Sequence, residues 1–187
     1  MIDGHGPGAM LRFAMRFFSF ASMLRFAMLL LVLSTATAQA QVTLGTASLT
    51  QDQVRAFYIA RGFSTTAIAP YAQACVLSFE FRNAGPTALH FRLADWQTAE
   101  GIGFQPLADW DAAWETHGVS AAARTAFRWS QFPPEQEFEA GDWIMGMAAL
   151  VRRPPGEFSL IARYHDDKGH HEIVVDRLSC ARDSVGN

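Results

Sequence analysis

The chain has 187 residues, with 15 lysines and arginines against 18 aspartates and glutamates, a formal net charge of −3. That acidic balance lacks the basic face of nucleic-acid and anionic-lipid binders, so neither is expected as a partner. The length suits one domain with a sizeable core once a leader is removed.

Arg12, Arg16 and Arg25 precede or open an apolar run over residues 26–33, and small residues ending in Ala38-Gln39-Ala40 follow. A positive start, an apolar middle and an A-x-A ending make a secretory signal. The expectation is a signal peptide over 1–40 and a single β-sandwich domain over 41–187. The apolar run is short of the ~20 residues a spanning helix needs, so no stable membrane span is expected after leader removal. The expected location is periplasmic or secreted. Without the leader, 12 basic and 17 acidic residues remain, a net charge of −5. Cys75 and Cys180 are the two cysteines. An even count in an oxidising compartment predicts a disulfide between them.

Residues 41–49 form a polar lead-in of small side chains. Thr50 and Gln53 have the spacing of a capping box, and Val54, Phe57, Tyr58 and Arg61 share one helical face. This predicts a short helix over 51–61, stopped at Gly62. Residues 75–82 alternate, with Cys75, Leu77, Phe79 and Phe81 on one side. Asn83-Ala84-Gly85-Pro86 is a turn signal, and Leu89, Phe91 and Leu93 alternate after it, which predicts a β-hairpin. Residues 95–118 are irregular, with a helical turn or two over 108–116. Residues 123–129 are predicted as a strand, ended by Pro133-Pro134. An edge segment over 136–141 and an apolar strand over 142–151 follow. Phe158, Leu160, Ala162 and Tyr164 alternate up to Asp166-Asp167-Lys168-Gly169, the clearest hairpin turn in the chain. A last strand then runs through His171, Ile173 and Val175 towards Cys180. Aromatics in strands pack inward as a rule, which predicts buried Trp129 and Trp143.

Six or seven short strands with turn punctuation predict a mainly β fold, an antiparallel sandwich with a short N-terminal helix and an irregular or partly helical insertion. The layout runs from Phe127-Arg128-Trp129 through Ala140-Gly141-Asp142-Trp143 to Pro155-Gly156-Glu157-Phe158-Ser159-Leu160. Together with the Asn83-Ala84-Gly85 turn, it resembles the immunoglobulin-like domains of exported bacterial accessory proteins over residues 74–180. That resemblance implies a fold and hardly a function, because its motifs are generic turn chemistry. The segment 95–118 departs from the pattern as an insertion.

Three sets of residues are candidates for chemistry. Trp96, Trp110 and Trp114, with Asp95 and Asp109 beside them, suit a platform on which rings stack and carboxylates accept hydrogen bonds. Large rings equally build the core of a small domain. His165, His170 and His171 flank one hairpin turn, and Met145 and Met147 share a strand face. Imidazoles suit Cu(II), Zn or Ni and thioethers suit Cu(I), so copper is the candidate cofactor. Against this, adjacent His170 and His171 face opposite ways in a strand, and methionines on an apolar strand commonly fill cores. No catalytic residue is assigned, since no G-x-S-x-G, H-E-x-x-H, C-x-x-C or phosphate-binding loop appears. The leading expectation is a non-enzymatic binding or accessory module that presents residues 95–118 to a protein or small ligand. A transition-metal carrier is the alternative, and a hydrolase with an unrecognised site is the weaker one.

Overall fold

The computed structural model describes residues 41–181. The expected signal peptide over 1–40 lies outside the described residues. In chain order the elements are β1 (Val42–Ser48), α1 (Gln51–Ile59), α2 (Thr65–Gln73), β2 (Val76–Asn83) and β3 (Leu89–Arg92). A single 3-10 turn (Leu93–Asp95), β4 (Gln97–Thr98), α3 (Leu107–Thr116) and α4 (Ala121–Ser130) follow. The chain ends with β5 (Glu135–Phe138), β6 (Trp143–Ala149), β7 (Phe158–Asp166) and β8 (Gly169–Leu178).

The strands make two sheets, and every pairing between named strands is antiparallel. The first runs β1-β2-β6. In the second, β7 pairs β8 on one edge, β3 and β4 pair successive stretches of its other edge, and β5 closes on β3. Leu77, Phe79 and Phe81 of β2 meet Leu89, Phe91, Leu160 and Ala162 of the second sheet in one buried core, with Trp96 and Phe132 among them. Full burial of each large apolar side chain stabilises by about 1.5–3 kcal/mol, so this layer dominates cohesion.

The helices form a third layer on the outer face of the first sheet. Tyr58, Ile68, Tyr71, Trp114 and Phe127 bury against Val76, Met147 and Ala149. The cover stops halfway along the sheet, and the burial pattern records where. Val76 and Leu77 are both buried because both faces of β2 are covered there; Glu80 and Arg82 further along are exposed. Their register partners on β6, Met145 and Trp143, are exposed too.

Local chemistry sets the helices. The Thr50 side chain accepts from the Gln53 N–H, and the Gln53 side chain accepts from the Thr50 N–H, a reciprocal cap for α1. Ser64 and Ser120 cap α2 and α4 through the Ala67 and Ala123 N–H groups.

Several expectations are corrected. Residues 123–129 form most of α4, not a strand, because Ser120 opens a run of alanines with high helix propensity. Residues 41–49 contain β1. Trp129 is 85% and Trp143 57% exposed, so neither packs inward. The strands around Asn83 do not pair with each other: β2 belongs to the first sheet and β3 to the second.

Asn83 is the clamp at that corner. Its amide donates to the Thr87 carbonyl at 2.8 Å and the Glu139 carbonyl at 3.1 Å, and its Oδ1 accepts from the Gly85 N–H at 3.0 Å. The side chain is fully buried, so no water replaces these bonds once it is cut away. Asn83→Ala is therefore expected to lower unfolding free energy by about 2–3 kcal/mol in urea titrations. A loss below ~0.5 kcal/mol, ordinary for a surface site, would remove the clamp from the account.

The disulfide forms. Cys75, just before β2, is bonded to Cys180, just after β8, with Cα atoms 5.2 Å apart. It joins the ends of the two sheets. Among the described residues no helix is long and apolar enough to cross a membrane.

Candidate functional site

The edge of β6 that no named strand pairs with organises an apolar cleft. Phe104 bridges Leu150, and the Gln105 N–H donates to the Ala149 carbonyl at 2.8 Å, which fixes the start of α3 against that edge. Further along, the chain leaving α4 docks on the same edge, where the Phe132 N–H donates to the Met147 carbonyl at 2.8 Å. The space between these two docked segments is a cleft of about 490 Å³.

Phe104, Pro106, Leu107 and Trp110 line one wall. Phe132, Pro134, Leu93 and the floor residue Met147 complete an apolar surround. Polar groups enter at few points. Arg128 forks onto Asp111, with Nη1 donating to Oδ1 at 3.0 Å and Oδ2 at 3.2 Å. Gln105 Nε2 donates to Asp109 Oδ2 at 2.6 Å beside the first turn of α3, where a carboxylate also favours the helix dipole. Both ion-pair partners and Gln105 line the cleft.

Behind the cleft lies a buried relay. Tyr71 Oη donates to Gln131 Oε1 at 2.9 Å, and Gln131 Nε2 donates to Tyr58 Oη at 2.6 Å. Tyr58 Oη and Ser130 Oγ share a bond of 2.8 Å, and Ser130 Oγ donates onward to the Phe127 carbonyl at 2.7 Å. Burial pushes the Tyr58 phenol up to about 12 and the Tyr71 phenol well above its usual value, so both remain neutral donors. The relay holds Gln131, a cleft-lining residue, in one orientation.

A second, polar basin lies on the outer face of the second sheet. His90, His165 and His170 line it with Arg92, Arg163 and Glu137. The His90 and His165 ring centres are 4.7 Å apart, and those of His165 and His170 are 5.9 Å apart. Among the described residues, no group of three or more His, Cys, Asp or Glu side chains is gathered tightly enough to hold a metal ion as it stands.

The candidate residues from the sequence disperse between these places. Trp96 is fully buried between the sheets and its Nε1 donates to the Arg163 carbonyl at 2.7 Å. Trp114 is fully buried in the helical core. Trp110 alone of the three lines the cleft, stacked on Trp114 at 5.5 Å and edge-on to Tyr71 at 5.1 Å. Asp95 accepts from Arg92 at the rim of the basin, and Asp109 sits on the first turn of α3. No shared platform is formed.

His165 and His170 face each other across the hairpin; His171 turns to the other side. Its Nε2 lies 2.7 Å from Asp166 Oδ1 and its ring stacks on Tyr164 at 5.0 Å. That hydrogen bond holds the Asp166 carboxyl below its usual value. Met145 and Met147 belong to the first sheet and the histidines to the second, so the two sets are not brought together. His90, Glu137, Arg128 and Gln131 went unrecognised in the sequence. No local signal marks them, because their neighbours are set by pairings between distant segments. No family model matches the chain, and no curated protein matches it.

Proposed function

We propose that this chain is an exported, non-enzymatic binding module that holds a small apolar ligand in the cleft between α3, α4 and the edge of β6. The observation that supports this most is the lining: aromatic and aliphatic side chains around about 490 Å³, with one Asp111–Arg128 pair at the polar side. A concave apolar surround with few placed polar groups is what small-molecule sites share. The leader pattern and the Cys75–Cys180 disulfide favour an oxidising compartment outside the cytosol. Two antiparallel sheets around one core favour the immunoglobulin-like reading of the fold, with the helical layer as its elaboration. Ligand binding would draw on segment 95–118, which supplies one whole wall.

The test is to fill the cleft from its rim. Ala108 lines it and is exposed on α3, so Ala108→Trp occupies the space with little effect on folding. An apolar fluorescent probe, anilinonaphthalene sulfonate, is titrated into the wild type, Ala108→Trp and the remote Ala60→Trp. The expected result is a loss of roughly tenfold or more in probe affinity for Ala108→Trp alone. Equal binding by all three proteins would overturn the proposal.

A further inference from the structure

The register of the second sheet places four side chains in one transverse row. Glu137 of β5 is opposite His90 of β3, His90 is opposite His165 of β7, and His165 is opposite His170 of β8. Directly paired residues of an antiparallel sheet point to the same face. Here that face is the outer one: Glu137, His165 and His170 are exposed, and the neighbours Leu89 and Phe91 of His90 point into the core. The row therefore presents three imidazoles and a carboxylate to one open basin.

We propose that this row binds a single divalent transition-metal ion, with His165 as the central ligand, His90 and His170 closing on it from either side, and Glu137 at the His90 end. Imidazole nitrogen is the preferred donor for Zn(II), Cu(II) and Ni(II). Ligands on one ion at about 2.0–2.1 Å hold their ring centres roughly 5 Å apart in a tetrahedral arrangement. The two adjacent pairs, at 4.7 Å and 5.9 Å, bracket that value; His90 and His170, on opposite sides of β7, have to swing in over His165 to share one ion. Converging the nitrogens takes rotation of the exposed His165 and His170 rings, which occurs in picoseconds to nanoseconds, together with a turn of the half-buried His90 ring.

A second observation points the same way. His90 Nδ1 is buried and has no hydrogen-bond partner among the described residues. Its cross-strand neighbours, His165 and Glu137, are able to donate or accept, yet neither bonds to it. A buried ring nitrogen left without a partner has room for one. Once the ring turns, an ion over the row supplies one. Arg92 and Arg163 do not block the site, since Arg92 is engaged by Asp95 and Arg163 by Glu172 and the Asp95 carbonyl.

The inference is independent of the cleft, because none of the four row residues lines it. It also separates the histidines from Met145, Met147 and His171, so a soft Cu(I) site of mixed thioether and imidazole donors is not what this face offers.

The experiment titrates the disulfide-intact chain with zinc chloride by calorimetry and with Cu(II) by electron paramagnetic resonance. Variants are His165→Ala, His90→Ala, His170→Ala, and the controls His117→Ala and Met145→Ala. Far-ultraviolet circular dichroism checks that each is folded; exposed His165 and His170 keep the test valid even where half-buried His90 disturbs the strand. The expected result is one ion per chain, Cu(II) hyperfine structure from nitrogen, and affinity reduced about tenfold to a hundredfold by His165→Ala, with both controls unchanged. Absence of saturable binding, or binding that survives both His165→Ala and His170→Ala, would overturn the proposal.

Discussion

Replacing Cys75 and Cys180 together by alanine is expected to lower the unfolding free energy by about 4–5 kcal/mol. The bond closes a loop with a sequence separation of 105, about three quarters of the described residues. In the chain-entropy account, a loop of that length restrains the unfolded chain by about 4.7 kcal/mol. Against a total stability of ~5–15 kcal/mol, this is a large share. The corresponding drop in melting temperature is roughly 10–20 °C. Other native contacts at this end do not involve the bond: Arg153 donates to the Gln73, Ala74 and Ala181 carbonyls, and Ser48 Oγ donates to the Ser179 carbonyl. These hold the two sheet ends together in the folded state but vanish on unfolding, so they do not replace the restraint on the unfolded chain. Urea titrations of the oxidised protein and the double alanine variant measure the difference. A shift below ~1 kcal/mol would show that the bridge is dispensable and would weaken the argument for an oxidising compartment.

The parts of the fold legible in the sequence are those set by neighbours a few residues apart. The Asp166–Gly169 turn is visible because a two-residue connection demands particular residues, and Gly169 indeed has φ of 121°. β2 and β7 are visible because alternate residues face one core. α4 was hidden because Phe127 and Trp129, two apart, imitate a strand. The structure shows Phe127 sharing a buried face with Ala123, four residues earlier, and Trp129 in solvent. The pairing across Asn83 is illegible for a related reason: a turn signal says that the chain reverses, not which sheet receives it. The candidate sites depend still more on distance in sequence. His90 meets His165 only through the β3–β7 register, and Arg128 meets Asp111 only after α3 and α4 pack. Composition near a turn picks out His165, His170 and His171, and strand alternation puts His170 and His171 on opposite faces; the bond of His171 to Asp166 is what only the structure shows.

Gly146→Ala is the substitution in which backbone geometry should reverse a general rule. A glycine inside a strand is ordinarily unfavourable, and alanine there is expected to add about 0.5–1 kcal/mol of stability. Here a Cβ on Gly146 would stand 2.6 Å from the Phe132 Cα and 2.7 Å from the Gln131 carbonyl carbon. Both are backbone atoms, so no side-chain rotation relieves the overlap. Retreat of the backbone is opposed on two sides. The Phe132 N–H is tied to the Met147 carbonyl, and the Phe132 ring packs on Phe79, Phe91 and Trp96 at 5.1, 5.1 and 5.4 Å. The expected result is a loss of about 1–3 kcal/mol, the range for overpacking a close contact. The same crossing carries Gln131 and Phe132 into the cleft wall, so probe affinity should fall together with stability. A stabilised Gly146→Ala protein with unaltered probe binding would mean that the chain leaving α4 does not cross β6 at this contact distance, and the cleft as described would lose one of its walls.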